Sequence, residues 1–178
     1  AVLGHDVSPD LWDRSILEEV QPFLDGGEAT VFEHASRAIR KALSRRSPRG
    51  LPLIGTGDWN DGLSSAGDRW KGESVWVGHF LHEVIRGFVP VCRKVGQDTF
   101  ADEILMEASK LKEAINEHGW NGEYYWRASL DSGEIVGTIV RGAKRVFLNA
   151  QTWAIISGVA ERKRAEEQLR ASLEERDA

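Results

Sequence analysis

A single cysteine and a single methionine stand among 178 residues. Cys92 therefore has no partner for an internal disulfide and no companion for a cysteine-based metal site. Its place in an apolar-periodic segment marks it as a small core residue, suited to a reducing compartment. A basic excess is missing as well: 23 Lys and Arg face 28 Asp and Glu, a net charge of −5. The two signs are interleaved, so no basic face forms to neutralise a phosphodiester backbone, which argues against nucleic acid as a partner. No apolar run reaches the length of a membrane span, and residues 1–20 lack the basic start and apolar middle of a signal peptide, so the expected location is cytoplasmic. Metal-ligand spacing is absent too. His79 and His82 lie three apart rather than the four of a zinc-binding helix, His34 shares no spacing with carboxylates, and no metal is expected.

What is present is a 41% apolar composition, enough for a core, and seven tryptophans against two tyrosines. Each indole brings an N–H that needs a partner when buried, while sugar rings offer flat C–H faces that stack on indole. The surplus raises carbohydrate as a ligand class, with plain core packing accounting for most of the seven.

Apolar periodicity predicts helices. Residues 29–43 place Phe32, Ala35, Ile39 and Ala42 at three- and four-residue spacings, and Ser47-Pro48-Arg49-Gly50 stops them. Ser74 reads as the N-cap of a long helix with Val77, Phe80, Leu81, Val84, Ile85 and Phe88 on one face, kinked at Pro90 and closed by Gly96. Asp98 reads as the next N-cap, before a helix carrying Phe100, Ile104, Leu105, Ala108, Leu111 and Ile115 to Gly119. An alternating aromatic stretch folds about Asp131-Ser132-Gly133 as a hairpin. Helical pattern returns at "LNAQTWAIISG" and again from Glu161. Strands are too few for a parallel sheet, so the fold class is all-α, an array of helical hairpins in a bundle or part of a helical toroid.

Between the first two helices, residues 50–72 fit no regular element and hold "GTGDWNDG", residues 55–62. Asp58 and Asp61 could bind a metal, work as acid and base, or cap turns. A calcium loop starting at Asp58 would need Gly at its sixth and Glu at its twelfth position, where Leu63 and Arg69 stand. Trp59 between the acids offers an apolar wall that raises a carboxyl pKa by desolvation and stacks on a sugar ring, a combination suited to glycosidic-bond cleavage. An inverting hydrolase would need a second carboxylate to activate water, for which Glu73 is available; Glu73 equally suits the entry of the long helix.

Taken in order, "FLDGGEATVFEHASRAIRKAL", "LPLIGTGDWNDGL", "WKGESVW", "LNAQTWAIISG" and "SGVAERKRAEEQL" span nearly the whole chain and resemble glycoside hydrolase family 94. That family comprises cellobiose and chitobiose phosphorylases and the phosphorylase-like domain of cyclic β-1,2-glucan synthases. The resemblance implies a partial (α/α)6 barrel over residues 1–178, a fragment of a longer catalytic domain. It implies a single general acid, Asp61, protonating the glycosidic oxygen, while inorganic phosphate, as co-substrate and without any cofactor, attacks with inversion to give an α-sugar 1-phosphate. Trp59 would line the sugar site, with Asp58 and Asn60 holding sugar hydroxyls or bracing the loop, and Gln151 reaching the sugar from a helix start or serving structure. Partners would be an oligosaccharide or β-glucan and phosphate, with a homodimer open to the full-length protein and the cytoplasmic side of a membrane-bound synthase as an alternative location. Where relatives carry Asn-Arg after the motif, Ser64-Ser65 stand here, so the phosphate residues are unassigned, Arg69 and Lys71 being the nearby cations.

Rival readings are an inverting hydrolase on the same toroid and a non-catalytic carbohydrate-binding or scaffold domain. Trp126 and Arg127 border the aromatic excursion, as packing or at an acceptor subsite. The tail from Glu161, with Ala165, Leu169 and Leu173 at four-residue intervals, reads as a solvated helix face, although alone it resembles a coiled-coil connector. The acceptor sugar and linkage are open.

Overall fold

The computed structural model describes residues 29–57, 63, 65–140 and 143–160. The chain forms two compact units that divide between Ala38 and Ile39. Of the first, residues 29–38 are described. They open helix α1, Val31–Ser44, with a reciprocal cap in which Thr30 Oγ1 accepts from Glu33 N and Glu33 Oε2 accepts from Thr30 N.

In the second unit, α2 (Val75–Lys94) and α3 (Asp98–His118) form an antiparallel hairpin, and α4 (Leu148–Ile156) packs on α2. Val75, Leu81, Ile85 and Cys92 of α2 and Ile104, Leu111 and Ile115 of α3 are buried. Each of the large aliphatic side chains among them contributes about 1.5–3 kcal/mol of hydrophobic free energy. The two helices approach closely where Gly78 meets Ile115: a Cβ at Gly78 would lie 2.9 Å from the Ile115 side chain. Cys92 is fully buried, and burial pushes its thiol pKa up, as a core cysteine requires.

Helix ends follow their side chains. Ser74 caps α2, its oxygen accepting from Val77 N, and Gly96 takes the left-handed turn after the last residues (φ 75°). Gly119 ends α3 and Gly158 (φ 66°) follows α4. One expectation is corrected. Gln97, not Asp98, is the N-cap of α3, without a side-chain bond; the chain leaves the Gly96 turn one residue sooner, and Asp98 sits in the first turn, favourable toward the helix dipole. α2 runs on through Pro90, which lies on an exposed position of the helix.

Strands β1 (Ala128–Ser129) and β2 (Ile135–Val136) pair antiparallel with Ala128 opposite Val136, forming the anticipated hairpin about residues 131–133. A second pair, β3 (Ile139–Val140) with β4 (Ala143–Lys144), had no sequence signal, because two-residue strands are too short to alternate. Single antiparallel bridges join Arg46 to Pro52, Leu53 to Glu73 and Ser74 to Ala128, tying the Gly-rich segment to the start of α2 and to the hairpin. The helical pattern from Glu161 lies outside the described residues.

Candidate active-site loop

Asp58, Trp59, Asn60, Asp61 and Ser64 lie outside the described residues; the structure describes the frame from which their loop departs. Pro52 to Ile54 lead into it and Ala66 to Glu73 lead out. Ile54 N donates to Gly72 O at 2.9 Å, and Leu53 faces Glu73 across a bridge, so both ends run side by side. They touch at two glycines. A Cβ on Gly67 would sit 2.9 Å from both the backbone nitrogen and oxygen of Gly55, which itself takes φ 69°. Trp70, in the left-handed region at φ 56°, lays its indole over Gly55, and the Arg45 guanidinium lies 4.9 Å from its ring centre. Beneath this neck, Ile54, Ala66 and Ala128 form a small buried cluster with Leu63, Leu130 and Val136 packed against it.

The hairpin grips the exit. The Asp131 carboxylate accepts from the backbone N–H groups of Arg69 (2.7 Å), Lys71 (2.9 Å) and Gly72 (2.9 Å), while Asp131 N donates to Ala66 O (2.8 Å). Burial pushes the Asp131 pKa upward, but the three N–H donors and the Arg69 charge outweigh it and hold the group below the usual carboxylate value. Nothing in "DSG" beyond a turn signal announced this, because the partners lie 59 to 62 residues away.

Glu73, the candidate base of a hydrolase, is 3% exposed and forked to the Arg49 guanidinium, with Ser129 Oγ donating to it at 3.4 Å. It lines a cleft of about 360 Å³ with Arg49, Trp70, Lys71, Leu130 and Asp131. Arg69 and Lys71 are exposed, and both give their backbone N–H to Asp131.

Gln151, on α4, clasps a neighbouring backbone. Its Oε1 accepts from Tyr125 N (3.0 Å), and its Nε2 donates to Tyr125 O (2.6 Å) and Phe147 O (3.3 Å). The amide thus pins the strand-like run into β1. Two residues on, Arg127 is 2% exposed, donates to Ser74 Oγ at 3.0 Å and lies 5.4 Å from the Trp76 ring centre; Trp126 is 8% exposed. Both are interior residues. His79 is fully buried beside the Tyr125 ring (4.8 Å between centres), with no hydrogen-bond partner among the described residues on either ring nitrogen; burial, then the nearby His82, lowers its pKa to about 3. His82, through Nδ1, is 3.1 Å from Ser157 O, and its pKa is also lowered, chiefly by burial. Among the described residues, no three His, Cys, Asp or Glu side chains gather as metal ligands, and no helix is long and apolar enough to cross a membrane.

Comparison with known proteins places this frame. Over 160 residues, 89% of the chain, it is 40% identical to solabiose phosphorylase of Paenibacillus borealis and covers 21% of that protein. It is 36% identical over 76% of its length to the cyclic beta-(1,2)-glucan synthase NdvB of Rhizobium meliloti, covering 5% of it. With cellobionic acid phosphorylase of Neurospora crassa the identity is 33%, over 88% of this chain and 20% of that one. The chain thus spans about a fifth of the phosphorylases it matches. Among solved structures, a GH78-family rhamnosidase of Bacillus sp. GL1 shares the helical fold, with a TM-score of 0.57 at 18% identity over 75% of this chain and 13% of that one. Residues 7–175 match the Glycosyl hydrolase 94 superfamily catalytic domain, and the chain belongs to that family.

Proposed function

We propose that the chain is part of the catalytic barrel of an inverting glycoside phosphorylase acting on β-glucosidic bonds. The observation that carries this is the match of residues 7–175 to the family's catalytic domain, supported by curated relatives that are phosphorylases. Asp61 is the general acid in this reading. Its proton goes to the glycosidic oxygen as the bond to the anomeric carbon breaks, and that bond's electron pair leaves with the same oxygen. A phosphate oxygen attacks the anomeric carbon from the opposite face, giving an α-sugar 1-phosphate and a free acceptor sugar. Phosphate is already nucleophilic, so no protein base is needed. Trp59 walls the sugar, while Asp58 and Asn60 hold hydroxyls or brace the loop. Gln151, whose amide is engaged by the Tyr125 and Phe147 backbone, has in this reading a structural role rather than a sugar contact.

Support for phosphorolysis over Glu73-assisted hydrolysis comes from the ion pair: a base must accept a proton from water, and Glu73 is engaged by Arg49 and Ser129. The test uses the full-length protein containing this chain, a panel of β-glucosides and inorganic phosphate. Sugar 1-phosphate should form only when phosphate is present, and Asp61→Asn should lower turnover by at least about 100-fold, the lower range for a general acid. Free sugar released without phosphate would establish the hydrolase instead. Parent-like turnover by Asp61→Asn would favour a non-catalytic domain.

A further inference from the structure

We propose that Asp131 is a positioning residue for the general acid, fixing the strap that closes the Asp61 loop. The inference rests on the phosphorylase reading. Residues 66–72 form the strap, and four hydrogen bonds join Asp131 to it: three backbone N–H groups converge on one carboxylate, and Asp131 N returns a bond to Ala66 O. The N–H groups of Arg69, Lys71 and Gly72 point at one anion while Trp70 N turns back to Gly67 O, so the carboxylate holds the turn in this shape. The strap then sets the loop's neck, through Ile54 N to Gly72 O, through the contact of Gly67 with Gly55, and through Trp70 on Gly55. The points where the acid loop departs and returns are therefore tied to the hairpin through Asp131, whose carboxylate makes the side-chain part of that tie.

The hairpin has its own supports. Ala128 pairs with Val136, Leu130 N donates to Glu134 O, Gly133 N donates to Leu130 O, and Ser129 exchanges backbone bonds with Glu73. Removing the Asp131 carboxylate takes away three of its four bonds to the strap and loosens residues 69–72, while Asp131 N still meets Ala66 O and β1 and β2 stay paired. A reacting group misplaced by about 1 Å costs on the order of 100-fold in rate, so the loss falls on kcat more than on KM. In the phosphorylase reading Trp59 desolvates the acid; were a loosened neck to admit water there, the acid's pKa would fall toward the ordinary carboxylate value and the alkaline limb of the kcat profile would move to lower pH. A purely structural role would scale the profile with the amount of folded protein and leave the limb in place.

The experiment measures kcat, KM and the pH profile of kcat for the full-length protein and for Asp131→Ala, Asp131→Asn, Ser132→Ala and Asp61→Asn, with thermal melting as the check on folding. Asp131→Ala is expected to lower kcat about 100-fold with a small change in KM and an alkaline limb at lower pH. Asp131→Asn should fall between parent and Ala, because one oxygen still accepts from Lys71 and Gly72. Ser132→Ala, in the same turn but away from the strap, keeps the parent kcat. Should the Ala variant fail to fold, the Asn variant decides. Asp131 variants that keep the parent kcat, or lose it in step with folded protein at an unmoved limb, overturn the inference. If those variants are parent-like while Asp61→Asn is inactive, only the role of Asp131 falls; if Asp61→Asn retains turnover, the phosphorylase reading falls first.

Discussion

Gly72 has no room for a side chain. A Cβ there would lie 2.7 Å from Ala66 O and 2.9 Å from Ser129 O, both backbone atoms that cannot swing aside. Gly72→Ala should lower stability by about 1–3 kcal/mol, the usual cost of overpacking, read as a fall in melting temperature. Gly87, inside α2 and exposed, is the opposite case: a Cβ added there would meet nothing within 4 Å, and Gly87→Ala should stabilise by about 0.5–1 kcal/mol through helix propensity. Equal melting temperatures for the two variants would overturn the steric account. His79 supplies a pH signature. Its folded pKa is depressed to about 3, so between roughly pH 6.5 and pH 3 the unfolded chain binds a proton that the folded chain does not. Stability linked to this group is therefore fully present above the unfolded value and lost as pH falls. His79→Leu, which also removes two unpartnered ring nitrogens, should flatten the drop in melting temperature between pH 7 and pH 5, with a difference of about 2 kcal/mol at pH 5. A parallel drop in both proteins would exclude His79 as its source. At this scale the acids of "GTGDWNDG" stood out in the sequence, because a tryptophan between two carboxylates is chemically pointed. Asp131 did not, since "DSG" is sufficient as a turn and its service to residues 69–72 is purely tertiary.

Helix α2 depends on one hydroxyl for two purposes. Ser74 Oγ accepts from Val77 N as an N-cap and also from the buried Arg127 guanidinium. Ser74→Ala should therefore cost more than a cap alone, about 2–3 kcal/mol when the cap and a hydrogen bond to a charged donor are both lost. Ser74→Thr retains the oxygen and should recover part of that, as chemical denaturation of the two variants would reveal; equal losses would mean the oxygen contributes little. The cap was legible in sequence because its partner is three residues away. The Arg127 bond was not, because its partner is 53 residues distant. The same division runs through the fold: Gly96, Gly119 and Gly158 announced the ends of α2, α3 and α4, while Gln97 took the cap expected of Asp98 because the Gly96 turn sets where the next helix begins. Elements fixed by local pattern were read from sequence, and ties across the fold, such as Gln151 to Tyr125 or Asp131 to the strap, were not.

Around α4 the molecule turns apolar side chains to solvent. Val146, Phe147, Leu148, Ile155 and Ile156 are all exposed, Leu148 and Ile155 at 74% and 75%. Single exposed apolar residues are ordinary on any surface, whereas several on and beside one nine-residue helix form a patch of the kind that associates. Net charge opposes this only weakly, since −5 is spread over 178 residues with both signs interleaved. The 178-residue chain on its own should therefore self-associate with rising concentration, as sedimentation velocity would show. Leu148→Lys with Ile155→Lys should shift it toward monomer without changing the helical circular dichroism, because both side chains already lie in water and leave no cavity behind. A parent chain that stays monomeric across the same concentrations would mean that this face does not associate, and a double variant that loses helix would mean that Leu148 and Ile155 support α4 from within.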